Sequence, residues 1–405
     1  MNAKGETEGL LSGIRVLDLA DEKASFCSKL LADLGAYVIK IEKPGGDPSR
    51  KIGPFLGNSA HPEKSLFFFH NNTNKLGITL NLENGAGREI FLSLVKRTDV
   101  VVETFPPGWL HELGLGYEVL SEANPKLILV SVTGFGQTGP RSQYRACDIV
   151  ASAFGGQMYV SGSPSSPPLK PFGEQSYYMA SLFAAIGILL ALRKRHHSGK
   201  GEHLDISLQE AVVSSLEHVM IQYFYEKIVP TRQGALLWNN SFSILPCKDG
   251  YVLISLFQQW ETLVEWMDNE GMAQDLKDEK YREEEFRRRH LDHIIEVLQG
   301  WTKTHTAHEL FEPGQLMRFP WAPVFSPKEV LENCQLKARG FFIDVDHPEI
   351  GASIQYPGVP YQFSLHPSNR WKRAPLTGED NLQVYQEELG LSEEELQKLS
   401  SMNAI

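Results

Sequence analysis

Residues 14–41 read IRVLDLADEKASFCSKLLADLGAYVIKI, and this stretch decides the fold class. Its first segment, 14–19, is a short apolar run that is typical of a strand buried on both faces of a parallel sheet. Residues 26–34 have the composition of a helix, and residues 37–41 return to a second buried strand. A strand, a helix and a strand in this order predict a βαβ unit, whose two strands run parallel.

The same alternation continues along the first third of the chain. Residues 99–103 (DVVVE) and 127–132 (LILVSV) have the composition of buried strands, and helical segments at 85–96 and 117–122 accompany them. Repeated βαβ units predict a parallel sheet with helices on both faces, and therefore a Rossmann-like domain of the α/β class. No G-x-G-x-x-G sequence follows the first strand, so a nicotinamide cofactor is not supported.

The chain changes character after the first domain. A long helical pattern at 208–225 leads away from the sheet, a strand follows at 251–256, and residues 260–304 are helical and highly charged. Strand-and-turn composition returns from residue 341. These shifts predict a large Rossmann-like domain at 1–225, a smaller α+β domain at 226–335, and a C-terminal segment at 336–405 that returns to the large domain.

Composition and charge exclude several classes of protein. The chain has 405 residues, 42% hydrophobic residues and a formal net charge of -11, which is typical of a globular protein and unlike a nucleic-acid-binding one. Three glutamates directly precede Arg287-Arg288-Arg289, which indicates a solvated helix face of paired charges. The four cysteines lack metal-ligand spacing, and the apolar run 179–192 is shorter than a membrane span. We therefore expect a cytoplasmic protein that binds no nucleic acid, metal or membrane.

Several segments between about residue 10 and residue 400 follow a known order. They read LSGIRVLDLA, LLADLGAYVIKIEKPGGDPSR, NTNKLGITLNL, VSVTGFGQTGP, FAAIGILLALRKRHHSGKGEHLDISLQEA, CKDGYVLISL, APVFSPKEV, QLKARGFFIDVDHPEIG and APLTGEDN. In this order the chain resembles the family III CoA-transferases, the group of the formyl-CoA and carnitine CoA-transferases and the α-methylacyl-CoA racemases. The resemblance implies an interlocked dimer of two chains, a CoA thioester as substrate, and no covalently bound cofactor.

The resemblance also implies where the acyl group is carried. Family members use an aspartate that opens the apolar helix D-x-x-x-G-x-x-x-x-x-G-I-L-A-A-L, because an aspartyl anhydride stays reactive towards the CoA thiolate. In this chain Tyr177 occupies that position, and Ser181 replaces the following glycine. The racemases add a His before an Asp, where this chain has Cys147 before Asp148. A phenol, with an ordinary pKa of about 10, stays protonated at neutral pH, so the chain lacks the family's acyl carrier.

Three side chains could substitute for the missing aspartate. Tyr177 could form an aryl ester if a base activated it, Glu174 lies just upstream of it, and Cys147 is a thiol without an evident histidine partner. Each has a structural alternative: a packed phenol, a solvated loop carboxylate and a small buried hydrophobe.

The loop that closes over the intermediate in many family members is also altered. Its glycine-rich sequence is replaced by GALLWNNSFSILP at 234–246, in which Leu236, Leu237 and Trp238 are bulky. Trp238 either faces a substrate or packs in the interior.

The positions that bind CoA in the family are partly retained. The resemblance assigns cofactor-binding roles to Lys43, Asn74, Lys75, Phe105 and Arg145. Their cations can neutralise the 3′-phosphate and the pyrophosphate, and an aromatic ring can stack on adenine. Glu112 stands where the family has an arginine, and a carboxylate there opposes phosphate binding by like-charge repulsion. Each lysine could instead be an ordinary surface charge.

These features predict a non-catalytic subunit of a heteromeric CoA-transferase. The enzyme would move CoA from an acyl-CoA such as succinyl-CoA to a carboxylic acid, for which the resemblance suggests benzylsuccinate or another aromatic or dicarboxylic acid. The expected partner is a homologous catalytic subunit, in an interlocked heterodimer or an α2β2 assembly. Two alternatives stay open: a CoA-thioester-binding regulatory protein, and a self-sufficient transferase with a substitute nucleophile.

Overall fold

The computed structural model describes residues 9–237, 241–365 and 371–405. The chain divides into two compact units. The first contains residues 9–158, Lys170–Val229 and Ala338–Ile405, and the second contains Tyr159–Leu169 and Pro230–Lys337. The limits differ from the predicted domains chiefly at Tyr159–Leu169, which we placed in the large domain and which groups with the second unit.

The strands and helices follow the chain in this order. The strands are β1 (Arg15–Leu19), β2 (Tyr37–Glu42), β3 (Leu76–Thr79), β4 (Val100–Glu103), β5 (Ile128–Thr133), β6 (His203–Ser207), β7 (Leu236–Leu237), β8 (Phe242–Pro246), β9 (Tyr251–Ser255), β10 (Ala322–Pro323), β11 (Phe342–His347) and β12 (Ala352–Pro357). The helices are α1 (Ser25–Asp33), α2 (Leu66–Asn71), α3 (Gly85–Val95), α4 (Trp109–Glu112), α5 (Tyr117–Ala123), α6 (Asp148–Phe154), α7 (Gln157–Val160), α8 (Gln175–Ser198), α9 (Leu208–Ser214), α10 (Val219–Glu226), α11 (Trp260–Asn269), α12 (Glu284–Arg289), α13 (Leu291–Thr302), α14 (Ala307–Leu316), α15 (Pro327–Glu332), α16 (Cys334–Ala338) and α17 (Glu393–Ser401), and a π-helix spans Gln383–Glu388.

The first unit is built on a parallel six-stranded sheet of order β3-β2-β1-β4-β5-β6. The predicted βαβ units are confirmed: Leu17 on β1 pairs with Ile39 on β2 and with Val101 on β4. All residues of β4 are buried, as expected for a strand with helices over both faces. The strand order reverses between β1 and β4, and the carboxyl ends of strands at such a point form the usual ligand crevice of an open α/β sheet.

Helix α8 is the main helix of one sheet face. Ala180, Ala184 and Ile188 are fully buried in the core, and small residues allow the helix to lie close to the sheet. By length and a mean hydropathy of 1.6, α8 is the one helix in the described ranges that could span a membrane, although its inner face already packs in the core of the unit. The outer face is also apolar and remains exposed at Leu182, Phe183, Ile186, Leu189 and Leu190.

The prediction of one long helix at 208–225 is wrong, because this segment forms the two helices α9 and α10. The break lies near Glu217, whose φ of 47° is in the left-handed region that a continuous right-handed helix excludes. The Ser215 hydroxyl donates to the carbonyl of Val212 at 2.7 Å, a local bond that competes with helix continuation. Hydrophobic periodicity could not reveal the break, because Glu and Ser are tolerated inside helices.

The C-terminal segment binds beside β3, the strand at one end of the sheet. The N–H of Gly77 donates to Asp380 Oδ2 at 2.7 Å, and the N–H of Thr79 donates to Asn381 Oδ1 at 2.9 Å. These side chains satisfy donors that an open edge strand would leave free. Gly77 is required here, because a Cβ atom would lie 2.7 Å from the ring of Pro375.

The second unit contains an antiparallel sheet of order β10-β9-β8-β7 and its own apolar core. Trp266 and Trp301 donate their indole N–H groups to Glu270 at 2.7 and 2.6 Å. These hydrogen bonds give the two indole nitrogens the acceptors that packing of the rings in an apolar core would otherwise deny them. The charged stretch on α12 forms i,i+4 ion pairs, with Arg288 at 2.6 Å from Glu284. Arg288 and Arg289 agree with the predicted solvated face of paired charges. For Arg287 the prediction is wrong, because this side chain is buried and its Nη1 donates to the carbonyls of Tyr281 and Arg282.

Candidate functional site

The candidate site lies at the carboxyl ends of the central strands of the first unit. The loops after β1 and β4 are tied together, because the Asp21 N–H donates to Thr104 Oγ1 (3.0 Å) and the Thr104 hydroxyl donates to Asp21 Oδ1 (2.8 Å). Tyr177 lies in the first turn of α8, and Asp148 begins α6. Glu22, in the loop after β1, lies near enough to Tyr177 to act on its pKa, so these elements share one site.

Tyr177 is a packed phenol. Only 5% of its surface is exposed, and it belongs to the same core cluster as Ala180. Burial is the main cause that raises the pKa of its hydroxyl far above the ordinary value, and the charges of Glu22 and Glu174 raise it further. The hydroxyl therefore stays protonated at neutral pH and offers no phenolate for attack on a thioester.

Asp148 holds the start of α8 in place. Its Oδ1 accepts the backbone N–H of Ser176 at 2.9 Å and also the Ser176 hydroxyl. The Lys170 ammonium lies 2.7 Å from Oδ2. Glu174 occupies the N-cap position of α8 and makes no side-chain cap, so Asp148 supplies the acceptor that the cap lacks. Oδ1 is therefore committed to the two donors of Ser176, whereas Oδ2 accepts no hydrogen bond from the described residues and is held by the charge of Lys170.

Glu174, one of the three predicted substitutes for the aspartate, has a carboxylate oxygen without a hydrogen-bond partner. Its Oε2 is buried and has no hydrogen-bond partner within the described ranges. Desolvation raises the pKa of this carboxyl, and the neighbouring charges of Asp148 and Glu22 raise it further. Cys147, by contrast, is an exposed thiol just before α6. The carboxyl groups of Asp148, Glu174 and Glu22 near Tyr177 disfavour another anion at this position.

Ser181 is the residue that we predict to replace a glycine of the family. It lies one turn along α8 from Tyr177, is fully buried, and its hydroxyl has no hydrogen-bond partner in the described parts of the chain. A buried hydroxyl without a partner lowers stability by its desolvation cost. The glycine of the family would leave no such group.

We expect Ser181→Ala to raise the free energy of unfolding by about 1 kcal/mol, because it removes an unsatisfied buried hydroxyl and keeps a helix-forming residue. Urea unfolding followed by circular dichroism measures the change. Ser176→Ala is the matched control and should lower stability, since the Ser176 hydroxyl donates to Asp148. A loss of stability in Ser181→Ala would show that its hydroxyl does have a partner.

The structure gives Asn74 and Lys75 internal partners. Lys75 is buried, and its ammonium donates to Asp18 Oδ2 (2.8 Å), to the Ser25 carbonyl (2.9 Å) and to Asn72 Oδ1 (2.8 Å). Asn74 adopts a φ of 63°, and its amide donates to Asp33 at 2.7 Å. These bonds use all three donors of Lys75, so the predicted contact of either residue with CoA would require rearrangement.

Lys43, Phe105 and Arg145 remain accessible to a ligand. Lys43 follows β2, is exposed, and forms an ion pair with Glu83 at 2.7 Å that solvent weakens. Phe105 follows β4, and its half-buried ring packs on Trp109 with ring centroids 4.1 Å apart. Both therefore lie at the carboxyl edge of the sheet, while the exposed Arg145 lies in the loop before α6. Their contact with CoA stays a prediction.

Glu112 and the loop at 234–246 are the remaining positions that we predict to differ from the family. Glu112 is exposed at the end of α4, the short helix that begins just after the Phe105 loop. Leu236 and Leu237 form β7 and pair with β8, so this part of the replaced loop is a strand. Trp238 lies outside the described residues.

Glu103 is a notable residue that the sequence pattern did not single out. It ends β4, is 3% exposed, and its Oε2 accepts the Phe105 N–H at 2.6 Å. Burial raises the pKa of this carboxyl to about 7, although a hydrogen bond from Ser131 and the Phe105 N–H oppose the shift. The sequence did contain one signal that could have identified Glu103, namely an acidic residue at the end of an otherwise apolar strand.

Comparison with known proteins identifies the family of this chain. The model of CoA-transferase family III matches residues 11–381. The chain belongs to this family, whose members act on CoA thioesters. Among residues that the structure describes, no group of three or more His, Cys, Asp or Glu is placed to hold a metal ion.

Individual relatives are similar along nearly their whole length. The chain is 33% identical to the succinyl-CoA:(R)-benzylsuccinate CoA-transferase subunit BbsE of Thauera aromatica, over 97% of this chain and 98% of that protein. It is 32% identical to the succinyl-CoA–L-malate CoA-transferase beta subunit of Chloroflexus aurantiacus, over 98% of each. The crystal structure of a CAIB/BAIF family protein from Brucella suis has a TM-score of 0.86 and 29% identity, and the match covers 94% of this chain and 99% of that one.

Proposed function

We propose that this chain is a subunit of a heteromeric cytoplasmic CoA-transferase and that it has no acyl carrier of its own. The observation that carries the proposal is Tyr177, a buried and protonated phenol where the family's aspartate would stand. An acyl anhydride needs a carboxylate, and Asp148, at the start of the neighbouring helix α6, is bound to Ser176 through Oδ1 and paired with Lys170 through Oδ2. A homologous subunit with the aspartate therefore supplies the carrier.

The surface of the first unit supports a partner of this kind. The outer face of α8 exposes Leu182, Phe183 and Ile186 at 42–53% on a helix whose inner face is core. Contiguous apolar surface of this type marks protein–protein contacts. Two relatives are named as subunits, which agrees with an interlocked heterodimer or an α2β2 assembly.

The proposed substrates follow from the relatives. Their names support succinyl-CoA as donor and (R)-benzylsuccinate or a related dicarboxylic acid as acceptor. We assign the 3′-phosphate and pyrophosphate of CoA to Lys43 and Arg145, and the adenine to Phe105, because these cations and this ring are the accessible ones among the predicted contacts.

The test is acyl exchange between succinyl-CoA and candidate acids, measured for this chain alone and after coexpression with an aspartate-bearing homologue. We expect turnover only in the mixed oligomer, with the chain alone at least about 1,000-fold slower, as for loss of a covalent nucleophile. The matched control replaces the homologue's aspartate by alanine, which should abolish turnover of the mixed oligomer.

Other results would point to the alternatives. CoA binding without a mixed oligomer would favour a regulatory CoA-thioester-binding protein. Turnover by the chain alone, with an acyl adduct detected by mass spectrometry, would contradict the proposal. The position of the adduct would then identify the nucleophile, and the partner-free oxygen of Glu174 makes it the first residue to examine.

A further inference from the structure

A hydrogen-bonded chain crosses three adjacent strands beneath the Phe105 loop. Glu103 on β4 and Ser131 on β5 are register partners in the sheet, and a hydrogen bond from the Ser131 hydroxyl favours the ionised Glu103 carboxylate, which lowers its pKa. Ser131 Oγ lies 2.9 Å from His203 Nε2 on β6. Glu103 and Ser131 are 3% and 2% exposed, whereas His203 reaches the surface. The chain thus joins a buried carboxyl group to solvent.

The inner end of this chain anchors the loop that carries Phe105. The Phe105 N–H donates to Glu103 Oε2 at 2.6 Å, directly before the ring that packs on Trp109. A hydrogen bond to an ionised carboxylate is roughly twice as strong as one to a neutral acceptor. The charge on Glu103 therefore contributes to how firmly the loop is held, beside the hydrogen bonds between Thr104 and Asp21.

We propose that His203, Ser131 and Glu103 form a proton-linked switch that tightens or loosens the Phe105 loop. With Glu103 ionised, His203 Nε2–H donates to Ser131 Oγ, and the Ser131 hydroxyl donates to the carboxylate. When a proton from solvent binds His203 Nδ1, the Nε2 proton passes to Ser131 and the Ser131 proton passes to Glu103. The carboxyl is then neutral, His203 keeps its proton on Nδ1, and the hydrogen bonds run in the opposite direction.

The surrounding charges allow both states. Lys23 and Asp21, in the loop after β1, act on Glu103 with opposite signs. Burial lowers the pKa of His203 below its ordinary value, and the charges of Asp205 and Glu118 oppose this shift by favouring the protonated form. The Tyr117 ring stacks on His203 at 5.7 Å between centroids, which fixes the orientation of the imidazole. Because Glu103 has a pKa of about 7, it changes charge near physiological pH.

The effect of the switch on CoA affinity rests on the proposed function, in which Phe105 stacks on adenine. A loop released at low pH would present the ring less firmly, so CoA affinity would fall as pH decreases. Glu103 is a positioning residue in this scheme, because it acts through the backbone of Phe105 and touches no substrate.

The switch itself is tested without CoA, by hydrogen–deuterium exchange of the peptide containing Phe105 in the full chain. After correction for intrinsic exchange rates, we expect protection about fivefold lower at pH 6 than at pH 8, as for weakening of a charge-assisted hydrogen bond. Glu103→Gln should give equal protection at both pH values. Ser131→Ala removes a donor to the carboxylate and should move the midpoint to higher pH. Glu89→Gln, at an exposed site on α3, should keep the wild-type profile.

CoA titrations in the same variants separate the two proposals. The CoA phosphate titrates near pH 6, so the informative quantity is the ratio of wild-type to Glu103→Gln affinity, which should fall about threefold from pH 8 to pH 6. A flat wild-type exchange profile, or a pH dependence that persists in Glu103→Gln, or an unmoved midpoint in Ser131→Ala, would overturn the switch. The expected exchange profiles without CoA binding in any variant would support the switch and overturn CoA binding by this chain.

Discussion

Replacing Asp18 by asparagine should lower the free energy of unfolding by about 3–5 kcal/mol. The Asp18 carboxylate and the Lys75 ammonium are both fully buried and lie 2.8 Å apart. Asparagine would leave the ammonium with only neutral acceptors, the Ser25 carbonyl and Asn72. It would also weaken the bonds that Asp18 accepts from the Ser28 hydroxyl (2.6 Å) and the Ala20 N–H (3.0 Å). A buried charge without its counter-charge is among the most destabilising changes a core can undergo.

The pH dependence of this defect distinguishes loss of an ion pair from loss of packing. Burial lowers the pKa of Lys75 to about 8 even with Asp18 in place. The unfolded chain therefore binds more protons above that pH, and stability rises with pH until the unfolded lysine titrates. In Asp18→Asn the folded pKa falls further, so the variant sheds the buried charge at lower pH. The defect should be largest at low pH, shrink as pH rises and level off above about 8.

Urea unfolding at several pH values from 6 to 9 measures both the loss of stability in Asp18→Asn and its dependence on pH. The control is Glu83→Gln, which removes the partner of the exposed Lys43 and should change stability by less than about 0.5 kcal/mol. A defect in Asp18→Asn that stays constant across this range would mean that lost packing and hydrogen bonds, and not an unpaired ammonium, cause it.

Lys75 also shows what the sequence could not predict. The N-x-N-K motif placed it beside a strand, and a lysine there could equally face a ligand or the interior. Its main partner, Asp18, lies 57 positions away along the chain, and local patterns carry no information about such a pair. Side-chain direction at this position is decided by the tertiary structure of β1 and β3.

Glu103 and the strands around it show the complementary case. Alternating strand and helix signals predicted β1, β2, β4 and β5, because strands buried on both faces must be apolar throughout. The strand pattern at 99–103 includes Glu103 but does not predict that its side chain is buried, since a charged residue at a strand end is usually exposed. Its partners Ser131 and His203 come from strands that only the sheet order brings beside β4. The place of Tyr177 in the first turn of α8 was predictable, because a fixed spacing along one helix does not depend on tertiary structure. Its correspondence to the family's aspartate stays a prediction.

Tyr177→Asp should not convert the chain into a self-sufficient transferase. The substitution introduces the residue that the resemblance predicts for the family at this position, but in a site where only 5% of the residue's surface is exposed and where a phenol filled the volume. Loss of the ring leaves a cavity, and the new carboxylate would be buried beside Asp148, Glu174 and Glu22. We expect the free energy of unfolding to fall by at least about 3 kcal/mol. Burial and like charges would raise the pKa of the new carboxyl and keep it protonated, which makes it a poor nucleophile.

Comparison with Tyr177→Phe separates the loss of the ring and the buried new carboxylate from the loss of the hydroxyl alone. Phenylalanine keeps the ring and loses only the hydroxyl, which hydrogen-bonds to the Asp148 backbone, so the loss of stability should be about 1 kcal/mol. Acyl exchange by the isolated chain, together with urea unfolding, is measured for both variants. Adding Glu174→Gln to Tyr177→Asp removes one repelling carboxyl and should lower the pKa of the new aspartate without rebuilding the rest of the site. Turnover of Tyr177→Asp at the level of an aspartate-bearing family member would show that this one residue had silenced the site, and that the surrounding carboxyl groups and Ser181 do not oppose acyl transfer.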